Sequence, residues 1–197
     1  WFEGGLLNAS YNALDIHQIE KSNKIAIFWE GEDASQRSIS YAELLTEVKK
    51  FANVLKSLGI QKGDRIPIYL PMVPELIVSM LGCARIGAIH TVVFSGFSST
   101  SLKDRIEDSE SKIVITADGG FRKGKIIKLK NIVDEAISEI KSVEHVVVVE
   151  RVKEKITLNE KDHLWTELMK YASDQCNAEK LESTHPLYIL YTSGTTG

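Results

Sequence analysis

From residue 40 onward the chain alternates between two kinds of apolar pattern. Some stretches place apolar residues three and four apart, the period of a helix face, and others are short apolar runs that read as buried strands. Residues 40–58 carry the clearest helical pattern. Tyr41, Leu44, Leu45, Val48, Phe51, Ala52, Leu55 and Leu58 form one apolar stripe. Ser40 and Glu43 have the spacing of a capping box, and Gly59 suits a left-handed stop. A strand over 66–70 follows. The next segment, 74–86, starts on a proline, is followed by Gly87 and is apolar almost all round, which predicts a buried helix. Further strands are predicted over 88–94, 112–116 and 145–150, with helices over 99–110 and 129–141 and a loop between 117 and 128. Strands spaced by helices imply parallel βαβ units, so the expected fold class is α/β, a mainly parallel sheet covered by helices on both faces.

The first 39 residues are less regular. They predict a helix near 11–20 and a hairpin pairing 24–30 with 37–40, set apart from an α/β core over 40–197. After the core strands, 151–161 reads as a solvated Lys/Glu-rich connection and 180–185 as a polar linker. A fresh strand is expected over 187–191.

Composition narrows the class. The chain has 197 residues, 43% apolar and 26% charged, in the range of an ordinary globular domain. A net charge of -3 gives no global basic field for nucleic acid. Two cysteines, Cys83 and Cys176, are too few for a disulfide framework. The longest uncharged run, 86–102, is interrupted by His90, two glycines and six Ser/Thr, so no membrane span is expected. The opening Trp1-Phe2-Glu3 lacks the basic-then-apolar order of a secretory signal. The expectation is a cytoplasmic protein, of which this chain is a piece.

Two segments could hold anions. Thr192-Ser193-Gly194-Thr195-Thr196-Gly197 combines hydroxyls with glycines after an apolar run. Such a turn can offer backbone N–H groups and neutral donors to a phosphate, although an ordinary Ser/Gly turn has the same composition. Its glycines do not have the spacing of a Walker A loop. The second segment, Gly119-Gly120-Phe121-Arg122-Lys123-Gly124-Lys125, continues to Lys128 and Lys130. Its five cations include no acid and precede or open a helix, where positive charge opposes the dipole. A phosphate-bearing ligand would offset that cost, and a solvated loop is the alternative.

Other candidates are weaker. His17, His90, His145, His163 and His185 show no metal-ligand spacing, and His90 reads as a hydrogen-bonded core residue. Asp104, Glu107, Asp108 and Glu110 suggest an exposed face salt-bridged to Lys103 and Arg105. Cys83 is expected to be an inert core thiol, and Trp1, Phe2, Trp29 and Trp165 to serve packing.

Several segments together resemble the acyl-adenylate-forming superfamily, and within it the AMP-forming acetyl-coenzyme A synthetases. They include Trp1-Phe2-Glu3-Gly4-Gly5-Leu6-Leu7-Asn8, Tyr69-Leu70-Pro71-Met72-Val73-Pro74-Glu75, Asp104-Arg105-Ile106-Glu107-Asp108, Thr116-Ala117-Asp118-Gly119-Gly120 and Tyr191-Thr192-Ser193-Gly194-Thr195-Thr196-Gly197. The resemblance implies that acetate attacks the α-phosphate of ATP, with Mg²⁺ assisting, and that coenzyme A then takes the acyl group from the adenylate. It places the ATP β- and γ-phosphates on Thr192, Ser193, Gly194, Thr195, Thr196 and Gly197. It places the nucleotide end of coenzyme A on Arg122, Lys123, Gly124 and Lys125. Lys125 departs from a frequent Arg and offers a point charge without the bidentate fork. The acyl pocket, the Mg²⁺ ligands and a mobile catalytic domain would lie beyond residue 197, so this chain alone is not expected to catalyse the reaction. A propionyl- or hydroxyacyl-coenzyme A synthetase, a P-loop triphosphatase and a non-catalytic coenzyme A sensor are the rival readings.

Overall fold

The computed structural model describes residues 2–153 and 155–192. The chain begins with β1 (Leu6–Leu7), α1 (Ala9–Ala13), a 3-10 turn at Asp15–His17 and α2 (Gln18–Lys21). A hairpin follows, β2 (Ile25–Glu30) with β3 (Gln36–Ser40), then α3 (Tyr41–Ser57), β4 (Arg65–Tyr69), α4 (Pro74–Ile86), β5 (Ile89–Val92), α5 (Ser99–Asp108) and β6 (Ile113–Ala117). A second hairpin, β7 (Gly120–Arg122) with β8 (Lys125–Ile127), leads to α6 (Leu129–Ile137), β9 (His145–Val149), β10 (Asp162–Leu164), α7 (Trp165–Tyr171) and β11 (Leu181–Glu182).

Local chemistry accounts for the best-formed elements. The Ser40 N–H donates to Glu43 Oε2 at 2.8 Å and Ser40 Oγ accepts from the Glu43 N–H at 3.3 Å, closing the capping box of α3. Gly87 ends α4 at φ +74°, and a Cβ there would come within 2.8 Å of Leu181 Cδ2. Five strands form one wholly parallel sheet in the order β10-β9-β6-β4-β5. The chain goes from β4 to β5 on one side, then crosses to β6 on the other. With right-handed crossovers, that reversal puts α4 and α5 on opposite faces and opens a crevice beyond the carboxyl ends of β4 and β6. The central strands are buried on both faces, as the unbroken apolar run Val146-Val147-Val148-Val149 requires.

The first segment is fastened to this core. Asn8 Nδ2 donates to the carbonyls of Ala84, Arg85 and Glu179. Arg85, 2% exposed, forms a bidentate pair with Asp15 at 2.8 and 2.9 Å and donates to the Cys176 carbonyl.

Several expectations need correction. The helix near 11–20 is three short pieces, broken at Leu14, whose side chain is buried in the core. The loop after β6 contains the β7–β8 hairpin, and the polar linker contains β11, paired with β1. The segment 187–191 is not a strand. Only a single bridge, His90 to Tyr188, joins it to β5, and Leu190 stands 67% exposed with no further strand beside it among the described residues. Phe2 is exposed rather than packed, whereas Trp165 stacks on Phe51 at 4.3 Å between ring centroids. Trp1 lies outside the described residues.

Candidate functional site

The carboxyl ends of β4, β5, β6 and β9 converge on a cavity of about 300 Å³. Pro71 and Phe94 follow β4 and β5, Phe121 and Arg122 belong to the hairpin after β6, Arg151 follows β9, and Trp29 comes from the first hairpin. The wall is built around Asp118. Its buried carboxylate accepts the N–H groups of Gly119, Arg151, Val152 and Lys153 at 2.7–3.0 Å, fixing the turn after β9 against the turn after β6. Arg151 then reaches across the crevice. It forms a bidentate pair with Asp33 at 2.5 and 3.0 Å, and its guanidinium lies 5.0 Å from the Trp29 ring centroid and 4.8 Å from that of Phe121. The paired guanidinium holds the Asp33 carboxyl well below the ordinary carboxylate range.

The basic run divides in two. Lys123 and Gly124 form the two-residue turn between β7 and β8, at φ +51° and +72°, both positive as a type I′ turn requires. This turn lifts Arg122, Lys123 and Lys125 to the rim, where all three are exposed. Arg122 lies 5.3 Å over the ring of Phe94, itself 57% exposed. Lys130 has the opposite fate. It is 1% exposed, and its Nζ is 2.5 Å from Asp134 and 2.8 Å from Asp162. The expectation that the whole run awaits an external anion is therefore wrong for Lys130, whose acids come from elsewhere in the sequence.

The other predicted site residues fare as follows. Thr192 is described next to Tyr191, while Ser193, Gly194, Thr195, Thr196 and Gly197 lie outside the described residues. Tyr191 reaches α5, where its hydroxyl donates to Asp108 and its ring lies 4.9 Å from the Arg105 guanidinium. Burial first, and then the Asp108 carboxylate, push the Tyr191 phenol up to about 12. Arg105 is thus not a cation on an exposed acidic face but sits packed between aromatic rings. Lys103 does make surface pairs, with Glu107 and Glu139. His90 is buried but its Nδ1 has no hydrogen-bond partner among the described residues, and desolvation pulls its pKa down to about 4. His145 and His163, distant in sequence, meet on neighbouring strands with Nδ1 and Nε2 3.1 Å apart. Among the described residues no group of three or more His, Cys, Asp or Glu side chains is arranged to hold a metal ion. Burial pushes the Cys83 thiol far up, as an inert core position should. Phe94, Phe97, Asp118 and Arg151 are the residues that sequence reasoning did not single out, because neither exposure nor cross-element pairing is visible in a pattern.

A family model described as AMP-binding enzyme matches residues 16–197. The chain belongs to the AMP-binding enzyme family. An acetyl-coenzyme A synthetase of Chlorobaculum tepidum is 50% identical over 199 residues, covering 100% of this chain and 30% of that protein. One from Rubrobacter xylanophilus is 52% identical over 200 residues, again covering the whole chain and 31% of the relative. The chain thus spans about 30% of the length of these relatives. Among solved structures, the acetoacetyl-CoA synthetase of Streptomyces lividans superposes with a TM-score of 0.91 at 28% identity, over 100% of this chain and 30% of that one. The α/β architecture expected from the sequence is therefore that of an acyl-CoA synthetase amino-terminal region. No helix of the described residues is long and apolar enough to cross a membrane.

Proposed function

We propose that this chain forms part of an AMP-forming acyl-coenzyme A synthetase whose acid is acetate. The observation that carries the reading is the exposed cationic hairpin tip, Arg122, Lys123 and Lys125, placed beside an aromatic-lined cavity at the switch point of a parallel sheet. The identity to acetyl-coenzyme A synthetases supports it. In the first step a carboxylate oxygen bonds to the α-phosphorus of ATP, and the bond to pyrophosphate breaks. In the second the coenzyme A thiol attacks the acyl carbon, and AMP leaves with the bonding electrons. Splitting the transfer through a mixed anhydride is the logic of covalent activation.

Each segment of this chain has a part. Thr192 and the residues through Gly197 hold the β- and γ-phosphates with neutral donors. Arg122, Lys123 and Lys125, with Gly124 shaping the turn that carries them, take the phosphates of coenzyme A, and the Phe94 ring offers a flat face to its base; the Gly124 N–H itself is held by Glu32 at 2.7 Å. Electrostatic stabilisation of phosphate charge is the main contribution of such groups. Mg²⁺, when bound, would neutralise pyrophosphate charge. No residue of this chain is assigned as its ligand. The substrates are small molecules, the location is cytoplasmic, and neither nucleic acid nor membrane is a partner.

The test uses the protein at the full length of its relatives. Acetate should support ATP–pyrophosphate exchange and release of AMP, with propionate and longer acids weaker. No exchange with any short acid ends the reading, and ADP as product would favour a P-loop triphosphatase. Replacing Arg122 and Lys125 together by Ala should raise KM for coenzyme A roughly 10- to 100-fold more than KM for ATP, in line with lost charge-assisted hydrogen bonds.

A further inference from the structure

Tyr191, beside Thr192, and the cationic hairpin tip are far apart in sequence, yet one row of contacts joins them. Tyr191, which leads into Thr192, lies 4.9 Å from the Arg105 guanidinium. The same guanidinium lies 4.9 Å from the ring of Phe97. Phe97 meets Phe94 edge-on, with centroids 5.8 Å apart and an 86° interplanar angle. Phe94 in turn lies under Arg122 at 5.3 Å. The row therefore alternates Tyr191, Arg105, Phe97, Phe94 and Arg122.

Its members are held from below. Tyr69 is fully buried at the end of β4 and donates its hydroxyl to the carbonyls of Ser95 (3.1 Å) and Phe97 (2.7 Å). Asp108, three residues after Arg105 on α5, accepts the Tyr191 hydroxyl. Arg105 is 9% exposed and donates to the Ser101 carbonyl at 2.6 Å. Among the described residues no carboxylate pairs with it in a salt bridge, so its charge faces the two rings. Gly96 leaves room for the row: a Cβ there would collide with both Arg122 and Phe94. A buried cation without a carboxylate is costly for folding alone. Here it contributes two cation–π contacts.

We infer that Arg105 is a positioning residue that holds the Tyr191–Thr192 segment and the cationic hairpin tip in one fixed relation, and so couples the ATP and coenzyme A ends of the site. This rests on the function proposed above. It predicts that loosening Arg105 disturbs both half-reactions at once, although Arg105 touches neither ligand.

The experiment compares Arg105→Met and Arg105→Lys in the full-length protein. Arg105→Met should raise KM for ATP in pyrophosphate exchange and KM for coenzyme A in thioester formation, each roughly tenfold, the equivalent of one or two lost cation–π contacts. Arg105→Lys keeps the cation and should recover part of both. Combining Arg105→Met with Arg122→Ala should raise KM for coenzyme A by less than the product of the single effects. A variant that lowers only the melting temperature or kcat, or shifts only one KM, overturns the inference. Amide hydrogen exchange provides a second readout that needs no activity: Arg105→Met should speed exchange in both 94–97 and 120–125. Protection unchanged at 120–125 overturns the inference, even if wild-type protein shows no exchange of pyrophosphate and the functional reading has failed separately.

Discussion

Arg122 and Lys130 stand eight residues apart in one cationic run, and the fold treats them in opposite ways. Lys130 is enclosed and shared between two carboxylates, Asp134 one helical turn away and Asp162 on β10. Arg122, Lys123 and Lys125 are carried by a tight hairpin to the rim of a cavity. The first kind of cation belongs to the architecture, while the second is available to a ligand. A charge run thus marks a binding site only after the charges that the fold itself consumes have been subtracted.

The largest expected effect sharpens that division from the inside. Lys130→Met leaves the Asp162 carboxylate, 1% exposed, without its cation, and should lower unfolding free energy by about 4 kcal/mol. Urea denaturation reads it, and a loss below about 1 kcal/mol would erase the distinction between the two halves. A smaller effect comes from another enclosed base. Desolvation depresses the folded-state pKa of His90 from 6.5 to about 4, so the folded state favours the neutral ring. Its contribution is complete above pH 6.5 and is lost as pH falls towards 4, up to about 3 kcal/mol by linkage. His90→Phe should flatten the stability profile in that window, and an unaltered slope would remove His90 from the account. The smallest effect lies on the rim. Lys123→Gly relieves a positive φ at a non-glycine residue and should raise stability by about 1 kcal/mol. Thermal unfolding would detect this, and a net loss would show that the Lys123 side chain supports the hairpin.

How much could be read in the sequence differs by element for physical reasons. The capping box at Ser40 and Glu43 and the glycine stop at Gly87 are local signals, so α3 and α4 were legible to within a residue or two. Arg122, Lys123 and Lys125 could be picked out by charge, but not their hairpin. Its strands are three residues long, and its turn puts a lysine where glycine or asparagine usually announces a type I′ geometry. Helix α7 was lost for another reason, since its apolar residues follow a charged stretch that masks their period. The overreading of 187–191 as a strand shows the converse: an apolar run proposes a strand, but only a hydrogen-bonded neighbour makes one. Arg105 could not be read correctly at all, because the rings that enclose it come from residues on either side of it in the chain.

The clasp between Asp15 and Arg85 has a practical consequence for anyone trimming this protein. The irregular opening segment looks dispensable, yet its carboxylate is the counter-charge of a guanidinium sealed beneath α1. Cutting the chain after Asp15 would strand a positive charge in the interior and free the Cys176 segment that Arg85 also holds. Expression boundaries drawn by secondary structure alone would therefore fall on the wrong side of the charge balance.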